Sequence, residues 1–134
     1  MERIKTDICI IGAGSGGLSV AAGAAQMGAR VVLIEEGEMG GDCLNHGCVP
    51  SKALLAASAR MPRPTYAEAM AHVRASIAAI APHDSQERFE GLGVRVIRAQ
   101  GAFVGPKTVH AGEAEIEARR FVVATGSRPM IPAI

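Results

Sequence analysis

Cys43 and Cys48 stand five residues apart in the run Gly40-Gly41-Asp42-Cys43-Leu44-Asn45-His46-Gly47-Cys48-Val49-Pro50-Ser51-Lys52. A thiolate is the nucleophile of disulfide exchange, so two thiols that can close on each other and open toward a partner form a two-electron store. Two other chemistries compete for such a pair. A structural zinc needs about four ligands in tetrahedral geometry, and the remaining candidates are His46 and the scattered His72, His83 and His110, with no second Cys or His pair. A pair of unrelated reduced thiols is the other alternative. The residues after the second cysteine favour the redox reading. Pro50-Ser51-Lys52-Ala53-Leu54-Leu55-Ala56-Ala57 reads as the start of an alanine-rich helix, and thiols near a helix N-terminus are expected to have depressed pKa values. Cys9, by contrast, falls on an apolar strand and is expected to be buried and inert.

The elements that must position these thiols begin at the N-terminus. Thr6-Asp7-Ile8-Cys9-Ile10-Ile11 is β-rich and mostly apolar, as a buried parallel strand should be, and it runs into Gly12-Ala13-Gly14-Ser15-Gly16-Gly17. Gly12 permits the tight turn, Gly14 lets backbone approach a pyrophosphate, and Gly17 lets the following helix pack closely on the strand. The pyrophosphate would then sit on a helix N-terminus, where unpaired N–H groups and the helix dipole favour an anion. Leu18, Ala21, Ala22 and Ala25 keep helical spacing up to Met27, and Gly28 reads as the stop. A second strand, Arg30 to Ile34, ends at Glu35, where the dinucleotide fingerprint expects an acid to hold ribose hydroxyls. An acid there argues against a 2′-phosphate but does not separate NAD from FAD.

Gly40 to Lys52 resembles, nearly residue for residue, the active-site signature of the class I pyridine nucleotide-disulfide oxidoreductases, with the Pro-Ser-Lys ending most similar to dihydrolipoamide dehydrogenase and mercuric reductase. The resemblance implies FAD on the Gly12–Gly17 turn and NAD(P)H as electron donor to a later domain. It implies that Cys43 is the interchange thiol that meets substrate and that Cys48 stacks against the flavin. Lys52 matches the lysine beside the flavin N5 edge, where a cation could stabilise charge on the reduced ring. Gly41 and Asp42 fall among the cofactor-binding positions. Asp42 stands where glutathione reductase and most dihydrolipoamide dehydrogenases have threonine, which puts a carboxylate in place of the hydroxyl. Ala124-Thr125-Gly126, at the end of the apolar strand Arg120 to Ala124 and within the turn Thr125–Pro129, resembles the second FAD motif. Val94 to Phe103, with Gly101, resembles the segment that touches the adenine.

The same resemblance implies an α/β, Rossmann-like three-layer FAD-binding domain over residues 1–134, with a parallel sheet and a β-meander inserted before the return strand. It covers only the first part of such an enzyme: neither a second glycine fingerprint for NAD(P)H nor the His-Pro segment of the interface domain is found. The whole is expected to be a homodimer that reduces or oxidises a small-molecule or protein-bound disulfide. The alternatives are a mercuric reductase-like reductase of metal ions and a non-catalytic FAD-binding module with a regulatory disulfide. Relatives carry a longer helical excursion after Pro-Ser-Lys, whereas here the chain passes quickly from Arg60 to Tyr66.

Between the motifs the chain is chemically quiet. Met61-Pro62-Arg63-Pro64 breaks one helix, and Tyr66 to Ile80 restarts another with Met70, Val73, Ile77 and Ile80 on one face for core or subunit packing. Pro82 ends it, Asp84 with Glu87 is expected to cap a short helix reaching Leu92-Gly93, and Lys107 to Ala118 alternates around Gly112 as a β-hairpin with Glu113, Glu115 and Glu117 outward. With 14 basic against 13 acidic residues there is no electrostatic case for nucleic acid or an anionic membrane. No signal region or membrane-length apolar stretch is found, so the cytoplasm is expected, where a cysteine pair is more often catalytic than a staple.

Overall fold

The computed structural model describes residues 1–128 and 130–134; Pro129, the end of the Thr125–Pro129 turn, lies outside the described residues. The first strand, β1 (Glu2–Ile11), starts four residues earlier than its apolar core suggested. Its charged first half is held by cross-strand partners: Arg3 pairs with Glu115 at 3.2 Å and Lys5 with Glu117 at 3.4 Å. After α1 (Ser15–Gln26), β2 (Val31–Ile34) lies parallel to β1, with Ile8 opposite Val31 and Ile11 opposite Ile34. Thr6 is the buried polar residue of this junction, and its hydroxyl donates to the Arg30 carbonyl at 2.7 Å.

Four helical segments come next: α2 (Gly41–Asn45), α3 (Cys48–Arg60), α4 (Tyr66–Ile80) and α5 (Gln86–Gly91). The chain then runs β3 (Arg95–Ile97), β4 (Gly101–Gly105), β5 (Thr108–Ala111) and β6 (Ala114–Val123). The sheet order is β3-β2-β1-β6-β5-β4, parallel from β3 to β6 and antiparallel through β5 and β4. The expected hairpin and the expected return strand share one element: β6 pairs antiparallel with β5 over Ala114–Glu117 and parallel with β1 as far as Val123. The charged Arg119-Arg120 step made them look separate, yet a strand at the junction of meander and parallel sheet can carry charge there because both side chains are exposed.

Strand alternation sorts the core into two faces. Ile10, Val31 and Leu33 pack with Leu18 and Ala21 of α1 and with Phe89 of α5. Cys9, Val32 and Ile34 pack on the other face with Val109, Ala111 and Ile116 of the meander, and a Cβ added to Gly101 would stand 3.4 Å from the Ile11 and Ile34 side chains. Helices, parallel sheet and meander are thus the three layers expected of the fold. In the α4 stripe Val73 is buried and Met70 and Ile77 are half-buried, but Ile80 is 37 % exposed. The α5 cap differs from expectation: the Ser85 hydroxyl, rather than Asp84, accepts from the Arg88 amide at 3.2 Å, because Asp84 still belongs to the 3-10 turn Ala81–Asp84. Thr65 and Glu68 form a capping box on α4 that was not anticipated from the sequence. Among the described residues no helix is long and apolar enough to cross a membrane.

Candidate functional site

The carboxyl ends of β1, β2 and β6 meet at one edge, and the glycine turn crosses it. Gly12 has φ +108°, donates its amide to the Ile34 carbonyl at 2.8 Å, and leaves no room for a side chain, since a Cβ there would stand 2.2 Å from the Ala124 oxygen. Ala124 in turn donates its amide to the Ile11 carbonyl at 2.8 Å, so the turn after β1 and the segment after β6 are locked together. Gly17 is buried and packs its Cα side onto Gly12, where a Cβ would meet the Gly12 oxygen at 1.8 Å. Gly14, the N-cap residue of α1, supplies no side-chain hydrogen bond, and the first turn of α1 contains no acid. The N-terminal amides and the positive end of the dipole are therefore left for an external anion.

Glu35 is pinned over this turn. Its Oε2 accepts from the Ala13 amide at 2.6 Å and its Oε1 from the Gly37 amide at 2.7 Å. Each oxygen retains a further lone pair for a hydroxyl donor.

The thiol segment docks on the same turn. Gly40 donates its amide to the Ala13 carbonyl at 2.9 Å, and Gly41, at φ +59°, sits where a Cβ would be 2.6 Å from the Gly14 Cα. Leu44 is 3 % exposed and anchors α2, while the Asn45 amide donates to the Met39 and Gly41 carbonyls at 3.1 and 2.9 Å. Gly40, Leu44 and Asn45 are positioning residues that sequence reasoning missed; the Gly40-Gly41 doublet was the signal for them. The helix after the thiols begins at Cys48 itself, two residues before Pro50, with no side-chain cap and no acid in its first turn. Proline fits there because an N-terminal turn leaves its missing N–H without consequence.

Cys43 is half-buried and Cys48 exposed. The expected lowering of thiol pKa does not hold for Cys43. Its pKa is raised, first by hydrogen bonding with the neighbouring Cys48 thiol, then by burial, while the Lys52 ammonium opposes the shift. Cys9 is fully buried, and burial pushes its thiol up to about 12, as an inert core cysteine requires. Lys52 lies exposed on α3, one turn beyond Cys48.

Three adjoining cavities form a trough along this edge. The first, about 140 Å³, is lined by Gly12, Glu35, Gly101 and Thr125 among others. The second, about 350 Å³, takes in Gly14, Glu35, Gly41, Asp42, Ala124, Thr125 and Gly126. The third, about 410 Å³, joins Gly14, Asp42, Ala124 and Gly126 to Cys43 and Cys48. All the anticipated site residues except Lys52 line this trough or, as Gly17 does, build its floor. The glycine cradle, the uncapped α1 and the pinned Glu35 fit the diphosphate and ribose of an adenine dinucleotide. Among the described residues no three His, Cys, Asp or Glu side chains converge as a metal ion would need.

Residues 6–134 match the family model described as pyridine nucleotide-disulphide oxidoreductase. The chain is 36% identical over 143 residues to dihydrolipoyl dehydrogenase 2, chloroplastic, of Arabidopsis thaliana, covering 94% of this chain and 25% of that protein. It is 32% identical over 143 residues to the mercuric reductase of Staphylococcus aureus, covering 96% and 26%. Among solved structures, the Cu(II) complex of the HOCl-induced flavoprotein disulfide reductase RclA from Escherichia coli superposes with a TM-score of 0.85 at 25% identity, covering 96% of this chain and 29% of that one. The chain thus spans about a quarter of the length of the relatives it matches.

Proposed function

This chain belongs to the pyridine nucleotide-disulphide oxidoreductases, and from that membership and the trough's geometry we propose that it is the FAD-binding portion of an NAD(P)H-dependent disulfide oxidoreductase acting through Cys43 and Cys48. The observation that carries the reading is the adjacency of the cavities: the one at the acid-ended cradle of Glu35 and the one at the thiol pair of α2 and α3 share Gly14 and Asp42 in their linings. Members of this family use FAD and NAD(P)H, and FAD supplies the two-electron exchange between the nicotinamide and the thiol pair.

Glu35 holds the ribose hydroxyls, the amides at the start of α1 receive the diphosphate, Gly101 borders the adenine, and Ala124, Thr125 and Gly126 wall the opposite side. Cys48, exposed at the first turn of α3, faces the isoalloxazine, and Lys52 favours negative charge nearby. The Cys43 thiolate attacks one sulfur of a substrate disulfide and releases the first substrate thiolate. Cys48 then attacks the Cys43 sulfur, closes the Cys43–Cys48 disulfide and releases the second. Two electrons and two protons reopen the pair, and the sequence runs in reverse when a dithiol is oxidised. The substrate is a small-molecule or protein-bound disulfide, and the full protein is a cytoplasmic homodimer in which further domains bind NAD(P)H and supply the acid/base. A metal ion as acceptor is the second reading, favoured by the similarity to a mercuric reductase and to the Cu(II)-bound flavoprotein.

Titration of the flavin-free chain with FAD tests the proposal. Binding is expected, Glu35→Ala should weaken it by roughly 1–3 kcal/mol through loss of charge-assisted hydrogen bonds, and Gly14→Val should weaken it further by putting a side chain where the diphosphate lies. FAD binding unchanged in both variants would remove the dinucleotide from this trough.

A further inference from the structure

The charge along the trough is of one sign. The central cavity is lined by the carboxylates Glu35, Glu38 and Asp42, with His46 as its sole other titratable side chain among the described residues, and no described lysine or arginine lines any of the three cavities. The neighbouring cations stand just outside the linings, with Arg98 and Arg128 held by Gly37 and Glu36, which line the central and the first cavity. Arg98 donates to the Gly37 carbonyl, Arg128 lies 3.9 Å from Glu36, and Lys52 acts on Cys43 from α3. Of the three carboxylates, Glu35 is compensated by two amides. Asp42 is not. Its backbone carbonyl accepts from the His46 and Gly47 amides, and among the described residues nothing donates to its exposed carboxylate, one oxygen of which lies close to Gly47; the residue itself lines both the central cavity and the thiol cavity, as Gly14 does.

We infer that Asp42 is a charge gate on cofactor retention: its unpaired carboxylate, carried by a residue that lines the trough together with Gly14, repels a bound diphosphate and makes this chain hold FAD weakly and in a salt-dependent way. The inference rests on the proposed placement of FAD. Its physical content is a sign. A phosphate site built from lysine and arginine loses affinity as salt rises, because screening weakens attraction. A site built from neutral amides with an acidic wall gains affinity, because screening weakens repulsion. The helix N-terminus still favours the anion, so the net result is binding that is possible but restrained. Asp42 also adjoins Cys43 in the chain, so the same carboxylate adds to the negative field around the thiols.

The experiment measures binding of FAD, ADP and adenosine to the purified flavin-free chain from about 10 mM to about 1 M KCl, over which the Debye length falls from about 30 Å to about 3 Å. Wild type should bind FAD and ADP more tightly as salt rises. Asp42→Asn should bind both about three- to thirty-fold more tightly than wild type at the low-salt end, with the gain shrinking toward none at high salt. Adenosine, which has no phosphate, should bind both proteins alike. Asp42→Thr provides a second neutral variant should the asparagine fail to fold, and the salt dependence of wild type stands independently of either. Binding of FAD that is equal in wild type and both neutral variants, or that falls with salt in wild type, would overturn the charge gate while leaving the FAD site intact. Absence of FAD and ADP binding in every protein at every salt would instead overturn the placement of the cofactor itself, and the gate with it.

Discussion

Gly41 lies against Gly14 so closely that a Cβ added to Gly41 would stand 2.6 Å from the Gly14 Cα. Two stretches of chain that each carry half of the chemistry, the dinucleotide turn and the thiol segment, are therefore joined backbone to backbone, with no side chain between them. This contact sets the distance from the glycine turn to Cys43, because α2 begins at Gly41 and Cys43 is its third residue.

Gly41→Ala should destabilise the chain. Its φ of +59° is unfavourable for alanine by roughly 1–2 kcal/mol, and the collision is with backbone, which cannot swing aside. Urea unfolding should show a loss of more than about 2 kcal/mol, with FAD affinity reduced in parallel. A stable variant with normal FAD binding would show that α2 can sit away from the turn without consequence.

The middle of β1 is secured by charge. Asp7 accepts from the Arg30 Nε at 3.2 Å, from the Arg30 amide at 2.9 Å, and has Arg119 at 3.8 Å. The Arg30 guanidinium, then its amide, hold the Asp7 pKa down to about 2. A depressed carboxylate pKa gives stability that is complete above the unfolded value near 3.9 and is lost as pH falls through the folded value. Asp7→Asn should therefore lower stability at neutral pH and flatten the decline between about pH 4 and pH 2. An acid limb identical to wild type in chemical unfolding would show that the pair is not coupled to folding.

Most of the candidate site's residues were legible in the sequence as ones that would come together, because their constraints are local. Gly12, Gly14 and Gly17 fall within one short turn and the helix start it leads into, Glu35 ends a strand, and Cys43 and Cys48 lie in one short run. What escaped was set by contacts distant in sequence. The length of β6 depends on β1 lying beside it through both halves, and nothing in Arg119-Arg120 announces that these charges face solvent within one strand. The α2 turn is too short for periodicity to reveal it and exists because Gly40 and Gly41 dock on Ala13 and Gly14. The raised Cys43 pKa likewise arises from the orientation of Cys48 toward it, whereas helix position alone argued for the opposite direction.

The most direct test of the central claim, that the trough lays a flavin against Cys48, is the rate of alkylation of each reduced cysteine with and without saturating FAD, read by peptide mass spectrometry. In the flavin-free chain the exposed Cys48 should react first, the half-buried Cys43 with its raised pKa more slowly, and the buried Cys9 hardly at all. With FAD bound the order of the first two should reverse, because the ring covers Cys48 and leaves Cys43 open to substrate. Protection of Cys43 with Cys48 still reactive, or no protection of either at saturation, would contradict the account.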